Sequence, residues 1–391
     1  MPIKPTIKIE PSATVAINTL ALEKKKAGVR VYNLSAGEPM IDTDSVVIDA
    51  CLRAMKEGKT HYAPVAGIPE LRAAAAEWMN RTYGTDYRAD NCVVTCGGKY
   101  GINVLIQAFV APGEEVLIIA PYWVSYTGMV KIYNGVPVVL PTKAEEDWKI
   151  KPEQIAEACN EKTKMLILNN AANPTGVLYG KEELEAILKI ASEKNLIVLS
   201  DEVYGGLVFD GREFVSAAFF PKYQDKVIVI QSCSKMFAMT GFRVGFVFGP
   251  PEIINAVAAL QSQSTTGTST ISQWAAVAGF KEANRIVPKI REEMQKRRDA
   301  FVNTFNNLFP KKIIAPASGL YAFIPIAAFG SDETDSVAFC ARILDEANVA
   351  MVPGAAFGKE GYVRCSFGER VEELKEGLEV VAEYLKRDGG H

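Results

Sequence analysis

Histidine is almost missing from this sequence: there are two in 391 residues, His61 and the C-terminal His391. A Ser-His-Asp hydrolase would have to rest on His61 alone, and a multi-histidine metal site has no ligands to draw on, so no metal is expected. Acid–base chemistry must then fall to Lys, Tyr, Asp or Glu. The seven cysteines, at 51, 92, 96, 159, 233, 340 and 365, form no CxxC pair, which argues against a disulfide framework or a zinc site and for a reduced cytosol. No apolar run reaches the roughly 18 residues that would span a bilayer, and the N-terminus lacks the apolar core of a signal peptide. Positive charge is not in excess either: the net charge is −3, which argues against a nucleic-acid or membrane-surface partner. Gly58-Lys59-Thr60 imitates the end of a phosphate-binding loop, but Arg53 stands where the required glycine belongs. Internal repeats and low-complexity tracts are absent as well.

What remains is an ordinary globular composition, 48% hydrophobic and 23% charged, on a chain too long for one comfortable core. Helical patterns alternate with short apolar runs through 92–250, which predicts an α/β fold with a large, doubly wound, mainly parallel sheet. After Pro250-Pro251 the pattern turns to long helices, 252–284 and 287–308, and 313–386 reads as a smaller α+β domain. Strands are expected near 320–325 and 362–367, and helices near 335–347 and 370–386. The expected division is 1–45 as an N-terminal arm and part of the small domain, 46–285 as the large domain, and 286–391 as the small domain.

The chemistry gathers at Gln231 to Arg243, QSCSKMFAMTGFR, which follows the β-branched run Val227-Ile228-Val229-Ile230. Such a run reads as a buried strand. Lys235 therefore emerges at the strand's end, where ligands gather in parallel sheets. A desolvated amine, or one beside another cation such as Arg243, loses pKa and becomes nucleophilic toward carbonyls. Arg243 also forks onto phosphates, and Ser232 and Ser234 add hydroxyls. Lysine, arginine and hydroxyls in one turn suit an aldehyde that carries a phosphate, which describes pyridoxal 5′-phosphate. Asp201 follows another fully apolar strand and wants a cation, since a buried unpaired carboxylate is expensive. The protonated pyridine nitrogen is one, and Tyr204, three residues on, reaches the ring's phenolic oxygen.

Other segments read two ways. Gly97-Gly98-Lys99-Tyr100-Gly101 lies between a strand and a helix, which suits a phosphate or a plain tight turn. Trp123, at the end of an apolar strand, stacks on a heterocycle or caps the core. Asn173 bonds a ligand oxygen or makes an Asn-Pro turn. Gly37, in Ser35-Ala36-Gly37-Glu38-Pro39, permits close backbone approach or simply turns. Ser12 and Thr14 are candidate caps of a helix over 15–26, and a surface helix is expected over 151–161.

Together PSATVA, SAGEP, HYAPVAG, GGK, PYWVSY, ANPTG, SDEVY, SKMFAMTGFRVG and QSQSTT resemble the class I and II aminotransferases, pyridoxal-phosphate enzymes of fold type I, and within them the gamma-type bacterial aspartate aminotransferases. The resemblance runs from about residue 11 to residue 385. It implies that Lys235 forms the Schiff base and shuttles a proton, that Asp201 pairs with the pyridine nitrogen, and that Tyr204 and Asn173 bond the phenolic oxygen while Trp123 stacks on the ring. The Gly98 and Lys99 amides, Ser232, Ser234 and Arg243 would hold the phosphate, with Tyr62 reaching it from a neighbouring subunit of a homodimer. Arg364, aided by the Gly37 backbone, would grip the substrate α-carboxylate. Lys99, with Ser12 and Thr14 nearby, would meet the distal carboxylate of a dicarboxylic substrate, which implies aspartate with 2-oxoglutarate as amino-acid and 2-oxo-acid substrates in a cytoplasmic ping-pong transaminase.

Tyr100, Cys233, Met40 and Asp44 depart from the usual pattern. The rivals are transamination of prephenate or aromatic amino acids, and other fold type I enzymes such as carbon–sulfur lyases and aminocyclopropane-carboxylate synthases. A cofactor-binding regulator would need a DNA-binding extension for which the residues before the first motif leave no room.

Overall fold

A computed structural model describes residues 13–388. Seven strands make one sheet: β1 (Cys92–Thr95), β2 (Glu115–Ala120), β3 (Val136–Pro141), β4 (Thr163–Asn169), β5 (Ile197–Asp201), β6 (Val227–Ser232) and β7 (Gly245–Phe248). Their spatial order is β1-β7-β6-β5-β4-β2-β3. All neighbours run parallel except β7, which is antiparallel to both β1 and β6. Strands β1 and β6 are buried along their whole length, which explains sequences that read as continuous Val/Ile runs instead of alternating. Helices Gly98–Phe109 and Pro251–Ser262 pack on one face through Ile102, Leu105, Ile254 and Val257. Helices Pro69–Tyr83, Lys181–Glu193 and Thr270–Lys281 cover the other through Leu71, Leu184 and Ala275. The sheet is thus doubly wound, as expected.

Residues 320–366 supply a three-stranded antiparallel sheet with Tyr362–Ser366 between Tyr321–Pro325 and Val352–Pro353. Tyr32–Asn33 pairs in parallel with Val349–Ala350, tying the N-terminal segment to the C-terminal part. Both of those strands are two residues long, too short to show a period, and sequence patterning missed them.

Three expectations change. The helix anticipated over 252–284 is two helices, Pro251–Ser262 and Thr270–Lys281. The Ser/Thr/Gly-rich stretch between them puts Thr266 at φ 62° and Gly267 at φ 131°, a left-handed course that no helix follows. The helix expected over 151–161 spans only Pro152–Ala158. Thr14 is not a cap: it lies inside helix Ala13–Lys26, and Ser12 lies outside the described residues.

One buried acid directly follows strand β5. Glu202 is fully buried; its Oε1 accepts from Ser200 Oγ and from the Ala217 N–H, each at 2.8 Å, while Oε2 has no partner among the described residues. Burial pushes its pKa up to about 7. The folded state thus prefers the neutral acid, so this contribution to stability is full below the ordinary carboxylate pKa of about 4.3 and is lost as pH rises through about 7. Glu202→Gln should remove that loss, leaving the variant about 3 kcal/mol less sensitive than wild type to a change from about pH 4 to pH 8 in denaturant unfolding. Parallel profiles for the two proteins would contradict it.

Candidate active site

The carboxyl ends of β5 and β6 lie side by side, with Asp201 in register with Ile230. At the end of β6, Ser232 Oγ accepts from the Ser234 N–H at 3.1 Å and donates to the Val244 carbonyl at 3.1 Å, capping the turn Cys233–Met236. That turn sends Lys235 back over the sheet, where Nζ donates to the Gly37 carbonyl. Lys235 and Asp201 both line one cavity of about 370 Å³, a size suited to a small ligand. Burial lowers the Lys235 pKa, and the Arg364 and Arg243 cations add to this, against a smaller upward pull from Tyr321 and Glu38. The result is a larger share of neutral, nucleophilic amine. Asp201 is 4% exposed, and burial raises its pKa to about 6, opposed by the Tyr126 hydroxyl, which donates to Oδ2 at 2.6 Å, and by the Val203 N–H.

One end of the cavity is built for an anion. The β1 strand runs through Gly97, at φ 82°, into helix Gly98–Phe109, so that free N–H groups and the positive end of the helix dipole face the ligand space. A Cβ on Gly97 would run into the Arg243 guanidinium, and one on Gly245 would collide with the Gly97 and Gly98 backbone; only glycine lets these pieces close up. Arg243 itself is held at φ 56°, a costly region for a side-chain-bearing residue, and its Nη1 donates to the Thr240 carbonyl at 2.9 Å. Ser232, Ser234, Gly98 and Lys99 share this wall. Neither Lys99 nor Arg243 forms an ion pair among the described residues. Lys99 Nζ stands 5.1 Å from the Trp123 ring centroid, and burial lowers its pKa, with the neighbouring Arg243 charge adding to the effect.

The same cavity is also lined by Arg364, 2% exposed, from strand Tyr362–Ser366. Its Nη2 donates to the Ser35 carbonyl at 2.8 Å and Nη1 to Asn173 Oδ1 at 3.3 Å, its guanidinium lies 4.1 Å from the Tyr321 ring centroid, and Nε has no partner among the described residues. A buried guanidinium without a carboxylate is expensive unless an anion completes it. The Asn173 N–H is fixed by Asn169 Oδ1 at 2.8 Å, and the Tyr204 and Tyr321 hydroxyls meet at 3.1 Å.

Every site residue expected from sequence lines this cavity except Ser12, outside the described residues, and Tyr62, which is 92% exposed. Thr14 lines it too. Sequence reasoning gave no role to Tyr126, Tyr321, Asn169, Ser35 or Glu38. Tyr126 had a signal in the aromatic cluster that follows β2, and Asn169 in the amide run after β4; Tyr321 had none. The departures from the usual pattern find local explanations. Asp44 caps helix Ser45–Lys56 through the Val46 N–H and pairs with Arg285 at 2.8 Å, Tyr100 hydrogen-bonds Ser264, Cys233 is buried, and Met40 is half exposed, its N–H bonded to the Gly368 carbonyl.

An orphaned donor on Arg364, a glycine cradle facing cations, and a lysine and a carboxylate in one cavity fit pyridoxal 5′-phosphate and an amino-acid carboxylate. The profile of the class I and II aminotransferases matches residues 29–381, and the chain belongs to that family of pyridoxal-phosphate-dependent enzymes, which pass an amino group between an amino acid and a 2-oxo acid. Among its relatives, the aspartate/prephenate aminotransferase of Thermus thermophilus is 41% identical over 97% of both chains. Of solved structures, the Thermus thermophilus aspartate aminotransferase with maleate superposes with a TM-score of 0.90 at 40% identity, covering 96% of this chain and 97% of that one. The aspartate aminotransferase from Rhizobium meliloti gives 0.92 at 32% identity, over 99% of this chain and 100% of the other.

Proposed function

We propose that the chain is an aspartate transaminase that uses 2-oxoglutarate as amino acceptor. The observation that carries this reading is the placement of two cations, Arg364 and Lys99, on the walls of the cavity that holds Lys235. Two anchoring charges and a reactive amine match an amino acid with a carboxylate at each end. The relatives' names supply both aspartate and prephenate; prephenate also carries two carboxylates, so the same pair of cations serves it, and it stands as the second reading.

When bound, pyridoxal phosphate supplies an aldehyde for the amino group and a cationic ring that draws electrons from the breaking bond. Asp201 would hold the proton on the ring nitrogen. Tyr204 and Asn173 would address the phenolic oxygen, and Trp123 would cover the ring face. The Gly98 and Lys99 amides, Ser232, Ser234 and Arg243 would hold the phosphate. Lys235 Nζ would hold the group through its aldehyde and would serve as the base that takes the proton from the substrate Cα. Arg364 and the Gly37 backbone hold the α-carboxylate, while Lys99 and Thr14, with Ser12, address the distal one. Tyr62, exposed and outside its own cavity, fits a homodimer in which it reaches the partner's phosphate. The boundaries at about 45 and 285 are our proposed division into arm, large domain and small domain. The free cysteines suit a reducing cytosol.

Lys99→Met should lower kcat/KM for aspartate about 10- to 100-fold, the usual range for a hydrogen bond to a charged group, and leave alanine and phenylalanine within a few-fold. A panel of donors against 2-oxoglutarate measures this. Equal losses on all three would refute the assignment, and a wild-type preference for prephenate as acceptor would select the second reading.

A further inference from the structure

Asp201 and Trp123 are 78 residues apart (201 − 123), yet one side chain supports both. Tyr126, in helix Ser125–Ile132, is 1% exposed and is not part of the cavity lining. Its hydroxyl donates to Asp201 Oδ2 at 2.6 Å, and its ring meets the Trp123 indole edge to face, with centroids 5.3 Å apart and planes at 84°. The rest of the carboxylate's surroundings are poor in help: among the described residues the Val203 N–H at 3.4 Å is the only other protein donor to the Asp201 carboxylate, and no lysine or arginine pairs with it. An O–H donating to a carboxylate at this length is a strong, charge-assisted bond, and here it opposes a burial that otherwise favours the neutral acid.

We propose that Tyr126 is a positioning residue that keeps Asp201 ionised and aimed at the cofactor's ring nitrogen, while its ring braces the Trp123 indole against which the same cofactor lies. This rests on the assignment of Asp201 and Trp123 made above. The two functions separate by atom. The hydroxyl serves the charge; the ring serves the stacking surface. Tyr126→Phe removes only the first, because the phenyl ring keeps its place in the core.

Cofactor affinity measured by equilibrium dialysis over about pH 5.5 to 8.5 provides a readout independent of turnover. With its donor gone, Asp201 should take up a proton at higher pH. The Phe variant should therefore bind pyridoxal phosphate about 10- to 100-fold more weakly near neutral pH, and the midpoint at which affinity falls on acidification should move up by about one pH unit or more from that of wild type. Circular dichroism of the cofactor-free protein checks that the fold is kept. Asp201→Asn, measured alongside, separates the two levels of the reading. An impaired Asn variant beside a Phe variant with wild-type affinity and midpoint would overturn the role of Tyr126 and leave Asp201 in place. A Phe variant that is weaker by the same factor at every pH would reduce Tyr126 to packing and also overturn the proposal. An Asn variant that binds like wild type would remove the Asp201 assignment itself.

Discussion

Lys235→Ala is expected to fold like wild type and to lose amino-group transfer by at least about 10⁴-fold, the upper range for a single general acid–base group, to which the loss of the nucleophile is added. The expectation follows from where the amine sits. Nζ donates to the Gly37 carbonyl, and burial together with the Arg364 and Arg243 charges lowers its pKa, so the folded state holds a larger share of the form that attacks a carbonyl than a free lysine does. On the proposed assignment the same nitrogen holds the cofactor and carries the proton, and among the described residues no histidine lines the cavity to take over either task. Lys235→Arg is the sharper version, since it restores the charge without an amine that can bond to an aldehyde. Both variants should release the cofactor on gel filtration and fail to convert a single equivalent of amino acid. An Arg variant within about tenfold of wild-type kcat would mean that Lys235 acts by charge alone, and the covalent reading would fall.

The second large effect belongs to Arg364. Arg364→Met should depress kcat/KM about 10²- to 10⁴-fold for every amino donor, whatever its side chain, because the proposed assignment gives Arg364 two charge-assisted hydrogen bonds to the α-carboxylate in a buried setting. Uniformity is the diagnostic feature, and it distinguishes this wall from the Lys99 wall, where the loss should follow the second carboxylate. Arg364→Lys keeps the charge without the fork and should lie between. The Ser35 carbonyl and Asn173 Oδ1, which the guanidinium now occupies, lose their donor in the Met variant, so thermal unfolding of both variants is needed to keep a folding defect from passing as a binding one. A loss confined to dicarboxylic donors would move the α-carboxylate site elsewhere.

Much of this arrangement is legible in one dimension, for a simple reason. Asp201 ends one apolar strand and Lys235 lies in the turn just beyond another, where packing offers no use for a charge, and such misfits show in the residue order itself. Most of the sheet is legible likewise, because strands buried on both faces, such as Cys92–Thr95 and Val227–Ser232, read as apolar runs, whereas sequence patterning missed Gly245–Phe248, and Val136–Pro141 is partly exposed. Arg364 is different: one arginine in a strand that alternates as strands do carries no mark, and only the resemblance to a known family singles it out. Tyr126 and Tyr321 earned no role because their partners, Asp201 and Tyr204, lie 75 and 117 residues away, separations that no local pattern encodes. The break at 263–269 escaped because helical propensity on either side outweighed the short Ser/Thr/Gly stretch. Thr14 was placed by a capping rule that its neighbours, already helical, overrode.

The walls of the cavity are drawn from Thr14 near one end of the described chain to Arg364 near the other. During synthesis the lysine and its aspartate partner leave the ribosome well over a hundred residues ahead of the arginine. On the proposed assignments, Lys99 and Thr14, which read the second carboxylate, are laid down with the coenzyme's own partners, and only the clamp common to every donor comes afterwards, so discrimination is drafted before retention.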